Sequence, residues 1–165
     1  MLAGFPALAL LLEEVAAPER RGAVVRWEEG ETCLFGSRRS PVRIKIATDA
    51  HAGTAMAMIV QDIAPSEGVP VHLHEKEDEI CVVRAGSGVA TLGDERVPVG
   101  PGATIFVPRG VWHGVENTGD APIAWIGIYS PPGFEGYFRE IAKPVARTRE
   151  EREALDRRYG IRYRG

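Results

Sequence analysis

From Pro41 to Pro131 the apolar residues come only in short runs, and a glycine or proline interrupts the chain about every ten residues. Such spacing leaves no room for long helices, because proline removes a backbone donor and glycine weakens a helix. The runs Arg43–Ile46, Thr54–Ile63, Glu79–Arg84, Gly88–Leu92, Ala103–Val107 and Ile123–Tyr129 fit strands instead. Turn-forming stretches separate them: Pro65-Ser66-Glu67-Gly68, Leu92-Gly93-Asp94-Glu95 and Asn117-Thr118-Gly119-Asp120. Many short strands at this spacing predict an all-β sandwich or barrel, and a closed barrel or jelly roll would also leave no open sheet edge.

The flanks read differently. Gly133 to Ala142 sets Phe134, Tyr137, Phe138 and Ile141 at helical spacing, which predicts a helix with one face on the barrel. Thr148 to Tyr159 predicts a charged helix, with Thr148 as N-cap, Glu151 completing a capping box and Gly160 as the stop. Its Arg- and Glu-rich stretch reads as a solvated face. The 165 residues are thus divided into an N-terminal extension (1–39), a barrel (40–130) and a C-terminal helical segment packed on it (131–165). Met1 to Leu12 is apolar, but no Lys or Arg precedes it and Glu13-Glu14 follows, so neither a signal peptide nor a membrane span is expected. A short helix or frayed leader is the reading there. The net charge of −3 argues against a nucleic-acid partner. Cys33 and Cys81 form no C-x-x-C pair, and a reducing cytoplasm is the expected compartment.

The chain has only four histidines, and two of them are His72 and His74. Residues two apart on a strand face the same side, so both imidazoles can reach one point. A charged turn, Glu75-Lys76-Glu77-Asp78, follows, and Glu79 opens the next strand, from which a carboxylate can swing back toward that point. Farther on, Pro108-Arg109-Gly110 turns the chain, and the strand after it delivers His113 as a third imidazole.

Two runs carry a family resemblance. Gly68-(x3)-His72-x-His74-(x4)-Glu79-(x6)-Gly86 resembles the first cupin motif, and Gly102-(x5)-Pro108-x-Gly110-(x2)-His113-(x3)-Asn117 resembles the second. The fifteen residues between Gly86 and Gly102 match the spacing of small bacterial cupins. One departure stands out: the family glycine lies six positions before the first histidine, where this chain has Ser66. Pro131-Pro132-Gly133-Phe134-Glu135 and Arg158-Tyr159-Gly160-Ile161 are further similar to quercetin dioxygenase-like small cupins.

The resemblance implies a cupin-type double-stranded β-helix over residues 40–130. It also implies one divalent transition metal held by His72, His74, Glu79 and His113, with positions left for water or substrate. Nitrogen and oxygen donors of this kind suit Fe, Mn, Ni, Co or Zn. The implied activity is a metal-dependent oxygenase acting on a small aromatic or enol substrate, with Glu79 as general base. A metal-dependent isomerase or lyase is a close variant, and a non-catalytic module that binds or senses a small ligand is the alternative.

Strand parity puts Cys81 and Val83 on the side of Glu79, and Val115 with His113, so these three are expected to line an apolar pocket. Glu77 and Asp78 are expected to face solvent, His51 to lie on the surface, and Met56 and Met58 to fill the core. Gly86-Ser87-Gly88 reads as a strand-linking turn, without the spacing of a phosphate loop. A homodimer is expected, from the apolar segments Phe5–Leu12 and Phe134–Ile141 and from the resemblance to dimeric small cupins.

Overall fold

The computed structural model describes residues 21–35 and 40–164, and these form eleven strands and two helices. One sheet has six strands in the order β1-β2-β3-β10-β5-β8: β1 (Glu31–Phe35), β2 (Ser40–Ile46), β3 (Ala57–Ile63), β10 (Ile123–Ser130), β5 (Asp78–Ala85) and β8 (Thr104–Val107). The other has five, in the order β11-β4-β9-β6-β7: β11 (Ile161–Tyr163), β4 (Gly68–His74), β9 (His113–Glu116), β6 (Gly88–Leu92) and β7 (Glu95–Val99). Neighbouring strands are antiparallel throughout. The expected jelly roll is the fold.

Period-two alternation decides which side chains enter the core. On β10, Ile123, Trp125, Gly127 and Tyr129 are buried while the residues between them are partly exposed. Two apolar clusters fill the interior. One joins Ile44, Ile59 and Tyr129 to the C-terminal residues Phe134, Tyr137 and Phe138, and the other gathers Ile63, Cys81, Val83, Val115 and Trp125.

Three features depart from the sequence reading. The strand expected to start at Thr54 begins at Ala57, and Met56 is 48% exposed rather than core-filling. Met58 is only half-buried, because β3 turns Ala57 and Ile59 inward and Met58 outward. There it aligns across the outer face with Ile128, Ile80 and Phe106. Strands β1 and β11 form in flanking segments to which no strand had been given.

The C-terminal helices form as expected. In α1 (Glu135–Ala142), Tyr137 and Phe138 are buried, as is Phe134 at its N-cap. The apolar face of Phe134–Ile141 packs against the barrel core within the chain. The other segment offered to a partner, Phe5–Leu12, lies outside the described residues, as does the leader reading of Met1–Leu12. In α2 (Arg149–Tyr159) the capping box is complete: Glu151 donates its backbone N–H to the Thr148 hydroxyl at 3.2 Å, and Thr148 donates its own to the Glu151 carboxylate at 2.8 Å. Gly160 takes φ 69°, a left-handed conformation that glycine adopts without a Cβ penalty, and so ends the helix. No described helix is long and apolar enough to cross a membrane.

Candidate metal centre

His72 and His74 sit at the end of β4, Glu79 near the start of β5 and His113 at the start of β9. Antiparallel pairing sets His72 opposite His113, and β5 brings Glu79 across from the other sheet. All four are buried, and one potential ligand atom from each lies within 4.8 Å of the others. The closest approaches are His113 Nε2 to Glu79 Oε2 at 2.9 Å, His72 Nε2 to His74 Nε2 at 3.2 Å and His74 Nε2 to Glu79 Oε2 at 3.3 Å. The structure thus gathers the four residues that the spacing singled out.

Their hydrogen bonds fix what these atoms can do. His72 Nδ1 lies 2.8 Å from the Pro70 carbonyl, and His113 Nδ1 lies 3.0 Å from the Val111 carbonyl. A carbonyl only accepts, so each of these Nδ1 atoms carries a proton, and each Nε2 presents its lone pair whenever the imidazole is neutral. Those two Nε2 atoms face His74 Nε2 and the Glu79 carboxylate at 3.2 and 2.9 Å. A divalent cation at their centre would satisfy all four groups at once, and three nitrogens with one carboxylate oxygen form a donor set that suits one.

Electrostatics agree. Burial, followed by the neighbouring His113 and His74, pushes His72 down to about 3, so its imidazole is neutral and able to ligate near pH 7. Burial alone would push Glu79 up, but His113 and His74 outweigh it through hydrogen bonding and charge and hold the carboxyl below its ordinary range. Positive charge on the Nε2 side, whether proton or cation, keeps Glu79 ionised. Its other flank is equally built. Burial, with the Glu79 carboxylate beside them, pushes the Cys81 thiol and the Tyr129 hydroxyl up. Gly127 leaves room for this: a Cβ there would stand 3.0 Å from the Tyr129 hydroxyl and 3.2 Å from Glu79 Oε1.

The cluster opens on a cavity with about 60 Å³ of space reachable by the centre of a water molecule. That volume suits a small molecule, or roughly four waters. Cys81 and Val115 line it, as strand parity had placed them. Val83 does not: it is fully buried in the same apolar cluster but lies four residues beyond Glu79, ~13 Å along the strand. Trp125, its pairing partner on β10, takes the place at the wall.

Phe134, Tyr137, Phe138, Ile161 and Tyr163 from the C-terminal segment form another side of the cavity. Sequence reasoning had given these residues no part in the site, since nothing in a helical pattern tells a packing aromatic from a cavity wall. The Tyr163 ring lies 5.9 Å from that of His72, and its hydroxyl is 3.2 Å from that of Tyr137, which donates to Asp156 at 2.9 Å. The Phe134 ring meets His74 edge-on at 4.3 Å.

Glu77 is the clearest correction. Instead of facing solvent it is buried, and burial pushes its carboxyl up to about 7. Asp78, by contrast, is half-exposed and held by Arg109 through both carboxylate oxygens. His51 sits half-buried in a turn, its Nδ1 3.3 Å from the Ala47 nitrogen, and belongs to no ligand cluster.

Comparison with known proteins fits this geometry. A family model described as a cupin domain matches residues 59–129. An oxalate-binding protein of Thermotoga maritima is 32% identical over 83 residues, 50% of this chain and 69% of that one. Gentisate 1,2-dioxygenase of a Ralstonia species is 27% identical over 82 residues, half of this chain but only 23% of that enzyme's length. Among solved structures, a predicted oxalate decarboxylase from Thermotoga maritima superposes with a TM-score of 0.60 at 24% identity, covering 66% of this chain and 99% of that one. The paired motifs, the two-sheet fold and the matched relatives agree, and the chain belongs to the cupin superfamily.

Proposed function

We propose that the chain is a metal-dependent oxygenase acting on a small aromatic or enol substrate. The observation that carries this reading is the three-histidine, one-carboxylate cluster opening on a cavity whose wall is mostly apolar and aromatic. Among the described residues no Lys or Arg lines that cavity. An oxalate-like dianion would find no cation of the protein there, whereas an aromatic ring finds Trp125, Phe134 and Tyr163. The likeness to a gentisate dioxygenase points the same way.

A divalent ion in the cluster would supply a Lewis acid. His72, His74 and His113 would hold Nε2 lone pairs toward it, with His72 and His113 fixed in rotation by the carbonyl oxygens behind them. Glu79 Oε2 faces the histidines and is the base that accepts a hydroxyl proton from the substrate, while Tyr129 holds the rest of the carboxylate in place. The C-terminal aromatics keep water from the bound ring.

The test is an oxygen-electrode screen of the metal-loaded protein against catechols, hydroxylated aromatic acids and cyclic enols. Oxygen uptake that depends on one class of these compounds, and that Glu79→Ala abolishes, is the expected result. Tight binding without turnover across the panel would replace the reading with a ligand-binding module. Product formation without oxygen uptake would replace it with an isomerase or lyase.

A further inference from the structure

Two of the three imidazoles have an obvious partner behind the metal-facing nitrogen, and the third does not. His72 and His113 each give Nδ1–H to the carbonyl two residues earlier in the chain, Pro70 and Val111. His74 Nδ1 is buried and has no hydrogen-bond partner, and the same is true of Glu77 Oε2. These two orphaned atoms face each other across 4.0 Å. That is too far for a hydrogen bond, but a small side-chain rotation closes it.

We infer that Glu77 is a positioning residue for His74: its carboxylate accepts His74 Nδ1–H and so fixes the tautomer and ring plane that present Nε2 to the metal. This inference rests on the metal-centre reading.

The surrounding backbone explains why the acid points inward. The turn that carries Glu77, between β4 and β5, is tied down on both sides. Glu75 N donates to the Gly160 carbonyl at 2.7 Å and Lys76 Nζ to the Arg158 carbonyl at 2.7 Å, which anchors the turn to the end of α2. On the other side, Arg109 grips Asp78, and Gly110 N donates to the His74 carbonyl at 2.7 Å. With residues 75, 76 and 78 all held outside, Glu77 is left with its side chain in the interior. A buried carboxylate without a partner is costly, and His74 offers the nearest unpaired donor. A cation on Nε2 makes Nδ1–H a stronger donor, so the pair tightens as the site fills. A carboxylate behind a ligating histidine raises the ligand's basicity as well as fixing its orientation.

The experiment measures Zn(II) affinity by chelator competition for the full chain and its Glu77→Leu and Glu77→Gln variants. Alongside it run the thermal midpoints of the metal-stripped proteins and the imidazole ¹⁵N spectrum of the Zn(II)-loaded forms. Glu77→Leu is expected to weaken Zn(II) binding by roughly 10- to 100-fold. Its metal-stripped midpoint should hold or rise, because a buried carboxylate has gone. Glu77→Gln, whose amide oxygen still accepts, should recover much of the affinity. The hydrogen-bonded Nδ1 proton of His74 should be visible in the wild type and lost in Glu77→Leu. Wild-type affinity in Glu77→Leu would overturn the inference and leave the metal centre standing, and so would parallel losses of affinity and metal-free stability. A wild-type chain that takes up no Zn(II) would overturn the metal-centre reading and the inference together.

Discussion

Ser66 is the only described residue other than glycine with a positive φ, at 64°. It stands where the cupin motif carries glycine, and the backbone has kept the glycine conformation without the glycine. The turn matters because it leads into β4: Ser66 N donates to the Asn117 carbonyl and Asn117 N to the Glu67 carbonyl, joining the two motif halves at 3.2 and 2.8 Å. An L-residue in this region costs about 1–2 kcal/mol, part of which glycine would give back through its freer unfolded chain. Ser66→Gly is therefore expected to stabilise the protein by about 0.5–1 kcal/mol in urea denaturation, since the exposed serine side chain packs against little. A lowered urea midpoint would show that the serine is held there by something other than tolerance. Glu77 shows the limit of sequence reading at this scale. In an acidic turn, nothing in the residues themselves marks which carboxylate turns inward; the backbone ties on either side decide it.

The least legible elements were the short ones. β11 is three residues long, and a three-residue strand has no alternation to detect. Four of the five residues of β7 are exposed, and Pro98 sits within it, a composition tolerated because β7 is an edge strand. By contrast β6 and the capping box of α2 fall where the residues put them, because turn and cap chemistry act locally. α2 has only Leu155 buried, and at eleven residues it is too short to be stable alone. Its caps therefore carry weight, and they also deliver β11, which pairs Ile161 with His74 and Tyr163 with His72 behind the site. Thr148→Ala is expected to cost about 1 kcal/mol in denaturant unfolding and to speed amide exchange in β11. Unchanged exchange in β11 would mean that the strand is held by β4 alone.

At the level of the molecule, the two motifs are separate stretches of sequence that meet because antiparallel pairing sets β4 beside β9 while the facing sheet supplies Glu79. The cluster of His72, His74, Glu79 and His113 was legible because strand parity and turn positions are local properties that the fold preserves. The cavity was legible only in half: Cys81 and Val115 follow from parity, but Trp125 and the C-terminal aromatics reach the site through tertiary packing. Met56 and Met58 depart from the core reading for a related reason, since hydrophobicity does not say which face of a sheet turns inward. Whether His72, His74, Glu79 and His113 hold one divalent ion is decided by metal analysis of the untagged protein beside the His72→Ala/His74→Ala double variant. About one ion per chain is expected in the wild type and essentially none in a double variant that keeps its β-sheet circular dichroism. Full metal retention by the folded double variant would contradict that expectation.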